Sequence, residues 1–426
     1  MTVTSSSDPL QFLFDLERFG MKFGLENITR LCEALDHPER AFRSIVVAGT
    51  NGKGSVTVMV ETALRAAGYR AARYTSPHLT RLEERFVVDG EEIRTDALRS
   101  AAGRVQAAVE SLIKTAPPTF FECTTAVAFE LFRRAAIDIA VLEVGLGGRL
   151  DATNVVTPIA TAITSIDFDH QAQLGDSLES IAREKAGIIK PGVPVVCGPL
   201  PAEADRVVRE TCVERGAPLV LATDVVRLVE REDPAMVDVR TARRSLEGVR
   251  LALRGRHQRD NAAVAVGLLD ELDRAGTPVP DEAVRAGLSR AEWPARLERF
   301  RAGETDILLD AAHNPAGARA LAAYLREIGW TDVSLLFGAM HDKDVRSMLA
   351  ALVPLCARIV CTTAPNPRAI PAAELAAVAA EVAGAPVPVG AIDDPAGALA
   401  HARRFRGPVV IAGSIFLIGP LRAILR

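Results

Sequence analysis

The run Gly49-Thr50-Asn51-Gly52-Lys53-Gly54-Ser55 carries the sharpest chemical signal in the chain. It follows an apolar, β-branched stretch, Ser44 to Ala48, and precedes a periodic helical segment, Val56 to Ala67. Strand, glycine loop and helix in that order are what a phosphate-binding loop requires. Glycine lets the backbone wrap closely, backbone N–H groups face the anion, and the helix N-terminus adds its positive end. Lys53 would reach the β- and γ-phosphates of a nucleotide, and Ser55 would ligate Mg2+. Gly54 stands between Lys53 and Ser55, one residue off the usual P-loop spacing. The bland alternative is a glycine-rich turn carrying an exposed lysine.

Other reactive groups sit where strands should end. Glu143 closes an apolar run just before Gly145-Leu146-Gly147-Gly148, where α/β sheets gather their ligands, and its oxygens suit Mg2+. An ion pair with Arg149 is the competing role for it. His170 follows the next strand candidate, as a metal partner or as a satisfied turn histidine. Lys185 lies at a helix end, where a solvated lysine is the ordinary reading. Asp310 ends a later strand, His313 comes three residues on, and Asn314-Pro315 starts a helix. Asp310 and Asn314 are also ready helix caps, and Arg296 is a ready surface ion-pair partner.

The elements that must position these groups alternate. Short apolar runs, Ile139 to Val144 and Ala162 to Ile166 among them, are separated by Ala-rich amphipathic segments. Continuous apolar strands between helices predict an α/β fold with a mainly parallel sheet. Residues 219–253 differ. Val225 to Val229, Val237 to Val239 and Val249 to Leu253 are short and charged, and predict a small antiparallel appendix on the first domain. A helix is expected from about Asn261 to Ala275. A boundary is expected near Trp293-Pro294-Ala295-Arg296, giving domains 1–296 and 297–426. Strands of the second are expected at Asp306–Asp310, Ser334–Phe337, Arg358–Cys361, Val387–Gly390 and Val409–Ala412, with helices at Ala316–Ile328 and Ala372–Val382.

Composition narrows the function classes. At 426 residues the chain is long for one domain, and 49% apolar content excludes a disordered chain. Fifty basic residues against 54 acidic ones leave a net charge of -4, so no general nucleic-acid surface is expected. Six scattered cysteines, none in a CxxC pair, fit neither a disulfide framework nor a thiolate metal site. No leader-like start and no membrane-length apolar stretch is read, so a cytoplasmic protein is expected.

The motifs in their order resemble the folylpolyglutamate synthase/dihydrofolate synthase family of the Mur ligase superfamily. They are VAGTNGKGS (47–55), TSPHL (75–79), Phe120-Phe121-Glu122, EVGLGGRLDATNVV (143–156), Asp169-His170 and EKAGIIK (184–190). GRHQRDNA (255–262), WPARLE (293–298), DAAHNP (310–315), FGAMHDKD (337–344), Pro367-Arg368-Ala369 and Gly413-Ser414 follow. The odd loop spacing is the family's own form. The resemblance implies a Mur ligase-like architecture: a central P-loop-type parallel-sheet domain, then a smaller Rossmann-like α/β domain. It implies that Glu143, His170 and Ser76 bind magnesium, and that Lys185 is carbamylated (N6-carboxylysine) and holds a second Mg2+. It implies that Asp310 and His313 contact ATP, that Arg296 contacts phosphate and that Asn261 lies beside adenine. Arg81, Phe120 and Phe121 are candidates for the pterin side, with core packing as the alternative for the two rings. Ala311 departs from the family's usual DGAHNP glycine. Asp167 is an added acid that either alters the field near a metal or caps a turn.

The activity implied is ATP-dependent amide ligation. A carboxylate is a poor electrophile, so it is phosphorylated, and the amine of glutamate displaces phosphate from the acyl phosphate. Dihydropteroate and reduced folates are the implied acceptors, in a bifunctional enzyme or in a folylpolyglutamate synthase alone. A monomer is expected. A Mur-type peptidoglycan precursor ligase is the rival enzyme, although only 48 residues precede Gly49. A non-catalytic ATP-dependent switch protein is the rival of another kind.

Overall fold

The computed structural model describes residues 8–20, 22–112, 118–384 and 386–426. Residues 1–7, part of the segment read for a leader, lie outside them. The chain forms two compact units. The first comprises residues 1–166, 178–252 and 260–291; the second takes in 167–177, 253–259 and 292–426.

An eight-stranded sheet organises the first unit. Its spatial order is Glu91–Glu92, Phe86–Val88, Ala71–Tyr74, Ile139–Glu143, Arg43–Ala48, Ala160–Ile163, Val195–Cys197 and Leu219–Leu221. The last six strands run parallel, and the first two add an antiparallel edge. Arg43–Ala48 is buried at every position but the first, as a strand covered on both faces must be. The helix Lys53–Ala66 starts inside the glycine motif, three residues earlier than the apolar periodicity predicts, and packs on Asp281–Ser289. The expected strand Ala162–Ile166 runs instead over Ala160–Ile163. Thr164 N still donates to Ala48 O (2.9 Å), and the hydroxyls of Thr164 and Ser165 both donate to Asn51 O in the phosphate loop.

Residues 227–250 form a three-stranded antiparallel sheet, Arg227–Glu230, Met236–Arg240 and Ser245–Arg250. Val225, expected in its first strand, instead ends the short helix Ala222–Val225, and the third strand stops at Arg250. Its buried Arg244 pairs with Asp270 on the helix His257–Arg274, which begins four residues before the predicted start.

The second unit is built on six strands in the order Glu298–Ala302, Thr305–Leu309, Val409–Ala412, Val333–Phe337, Cys356–Cys361 and Val389–Ala391. All but the first run parallel. The five expected strands agree with the sequence within one or two residues, Val387 and Pro388 preceding theirs, whereas the antiparallel Glu298–Ala302 is not among those expected. The helices Pro315–Glu327 and Ala372–Ala383 lie where alanine periodicity places them. Leu308, Leu321, Leu325, Leu335, Phe337, Met348 and Leu375 belong to one buried cluster between sheet and helices. Among the described residues, no helix is long and apolar enough to cross a membrane.

Candidate active site

The phosphate loop leaves the central strand Arg43–Ala48 of the eight-stranded sheet. Gly49 (φ 152°) and Gly52 (φ 87°) adopt backbone conformations that favour glycine. Space forbids a side chain as well. A Cβ on Gly49 would lie 2.0 Å from Thr164 Oγ1, and one on Gly52 2.2 Å from Asn261 Oδ1. Thr50 N donates to Ser165 O (2.8 Å), Asn51 N to Ser165 Oγ (3.0 Å), and Thr164 Oγ1 to Asn51 O (2.6 Å). The end of one strand thus moulds the loop that leaves its neighbour.

Two lysines converge on this loop. Lys53 Nζ donates to Gly49 O (3.1 Å) and Thr50 O (3.2 Å), and Lys185 Nζ to Gly49 O (2.9 Å). Lys185 is only 4% exposed, so the ordinary solvated-lysine reading fails. Glu143 pairs in register with Val47, two residues before Gly49, and its Oε2 accepts from Ser76 N (3.2 Å). Arg149 turns to Glu184 (2.8 Å) and its backbone N donates to Glu184 O. Asn154 and Lys190 tie the same two segments, through Gly187 O and Asn154 O. Asp151 is buried, which pushes its carboxyl up despite hydrogen bonds from Thr153, Leu146 and Gly145. Its two oxygens hold the Gly145–Leu146 turn and Thr153.

The aromatic candidates make packing contacts. Phe120 stacks on Phe14 at 5.9 Å, with the Arg85 guanidinium 5.1 Å from its ring centre. Phe121 leans on Gly145, where a Cβ would come within 2.6 Å of the ring. Arg81 is exposed and paired with Glu92.

In the second unit, the turn carrying Arg296 is under strain. Ala295 (φ 59°) and Leu297 (φ 46°) on either side of it are left-handed, a cost that the surroundings must impose. They do so through Asp310, whose carboxylate accepts from Leu297 N and Ala312 N (both 2.9 Å). Ala311 N donates to Ala295 O, and Glu298 accepts from Ala295 N (2.8 Å) while paired with Arg422 (2.7 Å). Ala311 itself takes no left-handed backbone, which explains why alanine fits there. Asn314 Oδ1 caps the helix Pro315–Glu327 through Gly317 N (2.8 Å).

His170 lies in the segment 167–177 of this unit, with φ 51°. Its neighbour Asp169 accepts from Lys343 Nζ (2.7 Å) and Asn314 Nδ2 (2.9 Å), with His313 Nε2 at 3.6 Å. Burial would raise the Asp169 carboxyl, but His313, His170 and Lys343 outweigh it and hold it well below the usual carboxylate range. Asp167 pairs with Arg319 at 2.7 Å, so the added acid has a partner of its own. His257 is half-buried in this unit, a desolvation that lowers its pKa, and its Nε2 lies 3.3 Å from Gln258 Nε2. Sequence reasoning gave no role to Lys343, Asp169, Thr164 or Ser165. Lys343 and Asp169 stood inside quoted motifs, and that was their only signal.

The donor sets fit the ligands that the residue types imply. The glycine loop opens a fourteen-residue helix, a ready anion cradle. Ser55 and Glu143 offer the hard oxygen ligands that Mg2+ takes.

A strand–glycine loop–helix unit on a parallel sheet, followed by a second α/β sheet, defines the class. Residues 47–269 match the Mur ligase middle domain and residues 295–415 the Mur ligase glutamate ligase domain. The chain is 36% identical over 380 residues to the dihydrofolate synthase/folylpolyglutamate synthase of Bacillus subtilis, covering 87% of this chain and 88% of that one. It is 37% identical over 429 residues to a "Probable bifunctional folylpolyglutamate synthase/dihydropteroate synthase" of Haloferax volcanii, covering 97% of this chain. It spans only 50% of that relative's length. The solved bifunctional folylpolyglutamate synthase/dihydrofolate synthase of Yersinia pestis, complexed with AMPPNP and Mn, superposes with a TM-score of 0.87 at 31% identity over 100% of both chains. The chain belongs to the folylpolyglutamate synthase/dihydrofolate synthase family.

Proposed function

We propose that the protein ligates L-glutamate to the carboxylate of a pteroate or folate, using ATP and an acyl phosphate, and that it acts on both dihydropteroate and reduced folates. The observation that carries this reading is the meeting of Lys53 and Lys185 on the Gly49 carbonyl at the mouth of the phosphate loop, with Glu143 and Ser76 one strand away. The names of its relatives supply the acceptor class, and the nucleotide and Mn bound by the Yersinia pestis protein support ATP with Mg2+.

Each residue then has a task that its position supports. Gly49 to Ser55 bind phosphate, Lys53 from its side chain and the others chiefly from the backbone. Ser55, Ser76, Glu143 and His170 hold Mg2+, which when bound neutralises the transferring phosphoryl group. Asn261 sits beside the nucleotide base. Arg296, His313 and Asp310 serve the nucleotide, Asp310 by shaping the Arg296 turn. Lys185 is carbamylated, which converts a buried cation into an anion fit for a second Mg2+. A mass increase of one CO2 on the intact protein, or rescue of a Lys185→Ala variant by a short carboxylate, tests that. We further propose a nucleotide-binding domain to about residue 296 with a ligase domain after it, a monomer, and a cytoplasmic setting. Phe120, Phe121 and Arg81 are the candidates on the pterin side, the two rings also packing against their neighbours.

The test is glutamate-dependent ADP release with three acceptors: dihydropteroate, tetrahydrofolate and a uridine-nucleotide peptide. Release with the first two is expected. Release with the peptide alone overturns the acceptor assignment, and ATP binding without release by any acceptor favours the switch protein.

A further inference from the structure

His170 sits on a short excursion of the chain. Residues 167–177 join the second unit although both flanking stretches of sequence belong to the first. The excursion has little structure of its own: a single four-residue helix, Gln171–Leu174, capped by a left-handed His170. Something outside it must fix the imidazole.

Asp169 does this from three sides. Its Oδ1 accepts from Lys343 Nζ (2.7 Å) and from the backbone N of His170 (2.9 Å). Its Oδ2 accepts from Asn314 Nδ2 (2.9 Å). Asn314 spends its other amide atom capping the helix Pro315–Glu327, so its orientation is already set. Lys343 Nζ also lies 3.5 Å from His170 Nε2, touching the imidazole as well as the carboxylate that holds its backbone. Both charged side chains are more than nine-tenths buried, Asp169 at 7% and Lys343 at 9% exposure, so the pair is a fixed contact. A buried ion pair is weak evidence for stability but good evidence for a specified geometry. Partners behind a metal-binding histidine orient it, and removing them commonly costs about ten- to a hundredfold in metal affinity.

We propose that Asp169 and Lys343, braced by Asn314, are positioning residues for His170, setting the backbone and ring orientation in which it binds the divalent cation. This deepens the ligase reading above and rests on it for the metal. Two measurements test it in the full-length protein, neither of which needs turnover. One is Mn2+ affinity at saturating AMPPNP, by electron paramagnetic resonance. The other is hydrogen exchange over residues 167–177. Asp169→Asn and Lys343→Met are expected to weaken Mn2+ about tenfold or more and to speed exchange in that segment. The phosphate-loop strand should stay protected. The double variant should be no worse than the weaker single one, because both remove one coupled contact. Lys343→Arg should recover most of the Mn2+ affinity. If Lys343→Met does not fold, Lys343→Gln takes its place.

Wild-type affinity and exchange in both single variants would overturn the proposal, as would full additivity in the double variant. Absence of glutamate-dependent ADP release in the wild type would instead refute the ligase reading. Exchange over 167–177 then decides whether the brace exists.

Discussion

The phosphate loop holds its shape with backbone. Two glycines take conformations and clearances that no other residue fits, and strand-end groups of Thr164 and Ser165 complete it. The Asp169 cluster holds its shape with side chains. A carboxylate, an amide and an ammonium arrive from three stretches of sequence separated by more than a hundred and by about thirty residues. The first keeps its glycines within one short run, is completed by hydroxyls 113 and 114 residues further on, and tolerates no added volume. The second is assembled over distance and depends on charge. A backbone-built site fails by steric change, and a charge-built site by neutralisation.

The sharpest way to break the comparison is to remove charge from the backbone-built region. Lys53→Ala should lower ligation by about a thousandfold, as loss of a preorganised phosphate contact does. Its thermal midpoint should fall by only a few degrees, since two hydrogen bonds to Gly49 O and Thr50 O are lost while the glycine conformations and the Thr164 and Ser165 contacts remain. A collapsed midpoint would show that the loop is charge-built after all. Steric change is the next test. Gly49→Ala drives a Cβ into Thr164 Oγ1 at an unfavourable φ and should cost roughly 1–3 kcal/mol in urea unfolding. An unchanged midpoint would refute the clearance argument.

Acid tests a further charge-built contact, the Glu298–Arg422 pair beside the Arg296 turn. Burial would raise the Glu298 carboxyl, but its hydrogen bond and ion pair with Arg422 bring it below the ordinary glutamate value. A depressed carboxyl stabilises fully above the unfolded-state pKa of about 4.3, and that contribution is lost as pH falls through the folded value. The stability gap between wild type and Glu298→Gln should therefore hold above about pH 5 and shrink progressively as the pH falls below it. A constant gap would mean that the pair contributes shape alone. The smallest effect belongs to Arg319→Ala. Arg319 is 57% exposed, so losing its bond to Asp167 should cost under about 1 kcal/mol. A larger loss in urea unfolding would make this outer contact part of the brace.

The same division decides what the sequence reveals. Gly49 to Ser55 reads directly, because glycine spacing, the preceding strand and the following helix are adjacent in the chain. The central strands and the alternating second unit read equally well, since continuous apolar runs between alanine-rich helices have few other solutions. Three things did not read. Thr164 and Ser165 look like strand residues, and nothing adjacent in sequence shows that their hydroxyls meet Asn51 O in the loop. Val225 has strand chemistry but finishes a helical turn. Lys343 and Asp169 gave no periodic or spacing signal, because their partnership exists only once 167–177 has joined the second unit. For Asp310 the sequence offered nucleotide contact and a helix cap, and the structure shows its oxygens accepting from the N–H groups of Leu297 and Ala312.

The excursion at 167–177 also bears on modularity. A fragment cut near residue 292 would keep all six strands of the second sheet, yet lose the carboxylate that meets Lys343 inside it. The buried ammonium would be left with Asp342, 3.5 Å away and itself largely exposed. Domain swaps between relatives therefore need to carry residues 167–177 along with the C-terminal part. A chimera joined at the obvious seam would pair each host's Lys343 with a donor's Asp169 setting, and compatibility would be decided there rather than at the junction.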